Sequence, residues 1–163
     1  MTGLIAMPIA LPDSPEAQVA ADGWFPPVLL ERVRACLQLG GGSITEAQLQ
    51  WAIEGGILSA LRLLADWRSA HVLTGAASLA DVAAPRIAGR SSAALLWERA
   101  VAYFAGADLS AENTDLSATD TGMNRGEEKA SKADEYRRAA HAAIADLLSI
   151  GGAPVPRNTV RLI

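Results

Sequence analysis

Residues 45–72 read TEAQLQWAIEGGILSALRLLADWRSAHV, and this stretch decides the fold class. Thr45 and Gln48 stand three apart, the spacing at which a threonine hydroxyl and a glutamine side chain satisfy the first free amides of a helix. Leu49, Ile53, Ile57, Ala60, Leu61, Leu64 and Val72 then recur at threes and fours, which lines up one apolar face. The pattern predicts a helix over about 46–70, roughly 36 Å long at 1.5 Å per residue. Its one irregularity is Gly55-Gly56, which costs on the order of 1 kcal/mol per glycine relative to alanine. Two glycines in mid-helix imply either a kink or a second helix passing very close.

Working outward, Pro26 and Pro27 suit the first turn of an earlier helix, with Leu29, Leu30, Val33 and Leu37 as its apolar face and Gly40-Gly41-Gly42 as its stop. Beyond the long helix, Leu79-Ala80-Asp81-Val82 to Pro85 and Gly89 reads as a connector with a short turn. Ser91 or Ser92 can cap a third helix whose apolar side is Leu95, Leu96, Trp97, Val101, Phe104 and Leu109. Residues 110–126 are polar and read as a loop or a frayed helical extension. Glu127 and Glu128 favour a helix start, and Tyr136, Ala140, Ala143, Ile144, Leu147 and Leu148 form a fourth apolar face before Gly151-Gly152.

Half of the 163 residues are apolar but only 5% are aromatic, and alanine fills much of the difference, which favours closely packed helices over a sandwich of strands. A chain of this length buries about 70% of its unfolded surface in one compact domain. The expected fold is therefore all-α: a bundle of about four helices over 23–150, with an extended N-terminal arm over 1–22 and a C-terminal strand-like tail over 151–163.

The arm carries Pro8, Pro12 and Pro15 and three acids without a base, which prevents a regular helix. Fully stretched it reaches up to roughly 70 Å. Leu4, Ile5, Met7, Ile9 and Leu11 would be costly to leave in water and imply that the arm packs on something, while Trp24 and Phe25 can staple it down at an arm or inter-subunit contact. This opening has no basic leader and is broken by prolines, so it reads as neither signal peptide nor membrane span. The tail runs through Pro154 and Pro156 into Arg157, Asn158, Thr159, Val160, Arg161, Leu162 and Ile163. Val160 and Leu162 alternate with Arg157, Thr159 and Arg161 as in a strand, and a lone strand seeks another backbone to pair with.

Chemistry-bearing patterns are sparse. His71 and His141 fall on different helices with no metal-ligand spacing and read as partly exposed helix residues. Cys36, the single cysteine, reads as a small buried thiol in an apolar helix. Gly40-Gly41-Gly42-Ser43 lacks the lysine and the preceding strand of a phosphate loop. Asp108, Asp115 and Asp120 are too sparse for a calcium loop. Trp24, Trp51, Trp67 and Trp97 read as core and interface anchors. No catalytic residue, metal or cofactor is expected, and a net charge of −4 argues against gripping a phosphate backbone.

Seven short words occur in order: Trp24-Phe25-Pro26, Leu61 to Asp66-Trp67-Arg68, Leu79-Ala80-Asp81-Val82, Arg99-Ala100-Val101, Ala107-Asp108-Leu109, Tyr136-Arg137-Arg138 and Thr159-Val160-Arg161-Leu162-Ile163. In this order the chain resembles the head completion (GpL) proteins of contractile-tailed bacteriophages. It departs from that pattern over residues 110–116, where an aromatic, charged stretch would stand. The resemblance implies a structural protein of the virion neck, assembled in the host bacterial cytoplasm. It would bind the portal protein after packaging, form a ring of about twelve copies, and meet a tail-side joining or terminator protein. Genomic DNA would only pass through non-specifically, and no membrane is involved. Without the resemblance, the residues alone also fit a non-viral helical ligand-binding or regulatory domain.

Overall fold

The computed structural model describes residues 16–39, 44–112 and 120–155, with the side chains of 112 and 120–129 left aside. Four helices dominate it: α1 (Leu30–Leu37), α2 (Glu46–Leu73), α3 (Ser92–Glu112) and α4 (Asp120–Leu148). Two short antiparallel ladders accompany them, β1 (Gln18–Val19) with β2 (Val28–Leu29) and β3 (Arg86–Ile87) with β4 (Arg90–Ser91).

Helix α2 starts as the sequence implies. Gln48 N–H donates to the Thr45 hydroxyl at 3.2 Å, and Thr45 N–H donates to the Gln48 side chain at 2.9 Å. Leu49, Ile53, Ile57, Ala60 and Leu64 line its buried side. The glycine pair resolves in favour of a close neighbour. A Cβ at Gly56 would lie 2.6 Å from the Val101 carbonyl oxygen, so α3 crosses there nearly backbone to backbone. Gly106 on α3 makes room for side chains from two partners instead, since a Cβ there would meet that of Leu37 of α1 at 2.6 Å and that of Tyr136 of α4 at 3.1 Å. Ala52, Ala60, Ala93, Ala100, Ala105, Ala140 and Ala143 fill the remaining core between the helices. The alanine-rich composition is thus spent on short interhelical distances, with α3 at the centre touching the other three helices.

The entry to α1 differs from the expectation drawn from Pro26-Pro27. The prolines lead into strand β2, and the helix begins only at Leu30, whose N–H donates to the Ala17 carbonyl at 3.0 Å. Val28 and Val19 are opposed in the ladder and both buried, so pairing with the preceding segment wins over an earlier helix start. Ala17, Val19 and Ala21, in the stretch expected as an arm, therefore pack on the body. Helix α1 closes at Gln38 in the left-handed conformation, ahead of the glycine run, which lies outside the described residues. Cys36 is exposed, contrary to the buried thiol expected. Leu30, Val33 and Leu37 define the buried stripe, and Cys36 sits about a quarter turn off it.

Helix α4 begins at Asp120, earlier than Glu127, so the second part of the polar run is helical. Its sequence, Asp120 to Gly126, carries no apolar period and includes two glycines, so neither pattern nor propensity marks a helix there. Between α2 and α3 a single 3-10 turn (Leu79–Asp81) and the β3–β4 hairpin make up the connector. The hairpin turn is Ala88-Gly89 with φ of 49° and 78°, the two left-handed residues of the tightest hairpin type. At the far end, Val155 N–H donates to the Ser149 hydroxyl at 2.9 Å, which ties the first residues of the tail back to α4.

Candidate functional site

One end of the body is an aromatic clamp. Trp24 and Phe25 are 6% and 2% exposed. Their rings meet edge-on at 4.8 Å, Phe25 stacks on Trp97 at 4.2 Å, and Trp24 stands edge-on to Trp67 at 6.0 Å. Each indole N–H reaches a backbone carbonyl far away in the chain: Trp24 that of Ala76 at 3.1 Å, Trp97 that of Pro26 at 3.0 Å, and Trp67 that of Ile150 at 3.2 Å. The apolar bodies of the rings drive burial while the N–H groups fix direction, so three loops are pinned to one spot. Asp22 supports the turn. One carboxylate oxygen accepts from the Trp24 and Phe25 amides at 3.1 and 3.2 Å, and the other pairs with Arg68. The root of the C-terminal tail belongs to the same cluster, since His71 packs on Trp67 at 4.3 Å and a Cβ at Gly151 would lie 3.2 Å from the His71 ring.

Beside the clamp lies a groove of about 540 Å³ between the two β-ladders, lined among others by Gln18, Trp24, Leu79, Arg86 and Arg90. Ser91 also lines it, and its buried hydroxyl has no hydrogen-bond partner among the described residues. Glu98 holds two guanidiniums beside the groove, Arg32 at 2.9 Å and Arg90 at 2.8 Å.

The outer face of α2 was not legible as a surface. Trp51 is 71% exposed, Leu58 67%, Val72 47% and Leu73 89%. Trp51, Leu58, Ala65 and Val72 are spaced by seven, so they share one stripe on the side of α2 opposite its core stripe. Val72, assigned to the core by its spacing from Leu64, belongs to this outer stripe, and Trp51 is the one tryptophan outside the clamp. The missed signal was the second period, a seven-residue repeat running alongside the core's threes and fours. Near the α2 N-terminus the stripe borders a cavity of about 300 Å³ with Trp51, Ala52, Gly55, Leu58 and Ala111 as apolar lining and Glu54 and Asp108 at its rim.

Of the residues expected at partner contacts, Trp24 and Phe25 sit in the core of this chain. Leu4, Ile5, Met7, Ile9 and Leu11, and Arg157, Asn158, Thr159, Val160, Arg161, Leu162 and Ile163, lie outside the described residues. His71 is half-buried against Trp67, and His141 is exposed beside Phe104 on another helix. Among the described residues no three His, Cys, Asp or Glu side chains are grouped to hold a metal ion, and no helix is long and apolar enough to cross a membrane.

A family model described as phage head completion protein (GPL) matches residues 19–163, from strand β1 to the last residue. No curated protein and no solved structure matches the chain.

Proposed function

The chain belongs to the phage head completion protein family, whose role in the phage head is structural, and from that membership we propose that it binds the portal after DNA packaging, stabilises the filled head and forms the adaptor ring on which the tail docks. The match over residues 19–163 carries this reading. In it, about twelve copies surround a channel through which genomic DNA passes without sequence-specific contacts, and a tail-side joining or terminator protein meets the free face of the ring.

The body suits such a role because it is rigid where it must keep its shape and sticky where it must join. The backbone-close crossing at Gly56, and the Leu37 and Tyr136 side chains seated on Gly106, leave little freedom between helices. The clamp holds the root of the C-terminal tail, so the segment 157–163 starts from a fixed point and reaches the portal by strand addition. Leu4, Ile5, Met7, Ile9 and Leu11 supply an adhesive N-terminal segment. The opposite charges of the two ends, Asp13 and Glu16 near the first and Arg157 and Arg161 near the last, favour a defined register between copies and partners.

A phage lacking this protein tests the reading. Its packaging should start, yet the heads should leak DNA and fail to join tails. Normal numbers of tailed, DNA-filled particles would overturn the assignment to the neck.

A further inference from the structure

We propose that neighbouring copies join head to tail, with the β3–β4 hairpin tip of one copy, Ile87 between Arg86 and Arg90, seated in the acid-rimmed pocket of Trp51, Leu58, Glu54 and Asp108 on the next. The inference rests on the ring reading above and names the contact that would build it.

Both halves are exposed apolar features with no use among the described residues. Ile87 is 60% exposed at the apex of a hairpin, where a β-branched apolar side chain meets water without return. Trp51 and Leu58 are more exposed still, and the pocket between them and Ala111 is open to solvent. The knob is stiff. Ala88 and Gly89 form a two-residue turn in the left-handed region, and the Arg86 guanidinium folds back onto the Gly89 carbonyl. A stiff tip loses little freedom on seating, so more of the gain from burying Ile87 remains for the contact.

Charge selects this pairing. Around the knob, Arg32 and Arg90 share the carboxylate of Glu98, while the Arg86 guanidinium donates to the Gly89 carbonyl. Among the described residues the pocket lining holds two acids, Glu54 and Asp108, and no base. Rim pairs of this kind add little affinity but steer approach and fix register, while the apolar plug supplies the hold. The acidic pocket would repel a second pocket and the basic knob a second knob, which disfavours a two-fold dimer through either face.

Placement decides the kind of assembly. Strand β4 runs directly into Ser92 at the start of α3, whereas Asp108 and Ala111 stand at the end of α3, about 24 Å away along the helix. Knob and pocket on opposite ends of one body form a heterologous contact, which repeats from copy to copy and closes as a ring when the rotation allows.

Cysteine pairing in assembled particles tests this. With the exposed Cys36 replaced (Cys36→Ser), chains carrying both Leu58→Cys and Ile87→Cys are assembled as the only copy in filled heads and treated with a short bis-maleimide. The expected result is a ladder of covalent multimers on a denaturing gel, absent for either single cysteine. Arg86→Glu should lower the ladder's yield, and Glu54→Arg in the same chain should restore it. Averaged electron micrographs of the necks of the same particles read the ring independently. A ring of copies without the cysteine ladder would overturn this contact and leave the ring standing. Neither ring nor ladder would overturn both. If the thiol introduced by Leu58→Cys is protected within a single chain until residues 1–15 are removed, the pocket belongs to the chain's own N-terminal segment and the inference is overturned.

Discussion

Two adjacent glycines in α2 should respond to the same substitution with opposite signs. In an exposed helix interior, glycine to alanine gains about 1 kcal/mol from reduced backbone entropy. At Gly55 the added methyl would lie 3.0 Å from one side-chain atom, the Asp108 Oδ2, which has to give by only a few tenths of an ångström and is not backbone. Gly55→Ala should therefore be neutral or stabilising by up to ~1 kcal/mol. At Gly56 the methyl would lie 2.6 Å from the Val101 carbonyl oxygen and 3.3 Å from the Ala105 amide nitrogen. Ordinary contact begins near 3.4 Å, so α2 and α3 must separate by most of an ångström along a crossing sealed by Ala52, Ala60, Val101 and Ala105. Overpacking of this kind costs about 1–3 kcal/mol, and because backbone cannot rotate away the upper end applies even after the propensity gain. At about 2–4 °C per kcal/mol for a domain of this size, Gly56→Ala should melt several degrees below the parent and Gly55→Ala level with it or above. Urea unfolding followed by circular dichroism reads both midpoints. Equal midpoints for the two variants would refute the close crossing and with it the packing described for α2 and α3.

Two further outcomes follow from the clamp and the tail. Trp24→Ala should cost about 3–5 kcal/mol, as for other buried large aromatics, because it empties the space beside Phe25 and Trp67 and leaves the Ala76 carbonyl without its indole donor; an unfolding midpoint that barely moves would show that the indole is not held there. Deleting residues 157–163 should leave the helical circular dichroism almost unchanged but abolish co-sedimentation with portal rings, and Val160→Pro should do nearly as much by removing one ladder donor; unchanged portal binding by the truncated chain would move the docking surface to the helices.

The helices were legible because their signals are local. Thr45 and Gln48 cap α2 through atoms three residues apart, and Leu49, Ile53 and Ile57 repeat at the period of a helix whatever lies around them. Alanine in place of aromatics announced close helix packing on the same local grounds. The family words were legible too, since they are strings in the sequence itself, and the match over residues 19–163 agrees with them.

What the glycines were for, and which apolar residues were outside, needed the third dimension. Gly55-Gly56 allowed a kink or a near neighbour, and only the position of Val101 on another helix chose. Ladders of two residues, such as Gln18–Val19 against Val28–Leu29, are too short to show an alternating pattern, and their pairing depends on a partner nine or more residues away. Cys36 sits about a quarter turn off the stripe of Leu30, Val33 and Leu37, and Val72 falls on the outer stripe of α2, and only the packed helices show how wide each buried stripe is. Trp51, Leu58 and Ile87 are the extreme case. An apolar side chain carries no mark saying which core it will join, and only the folded body shows that none of the three joins this one.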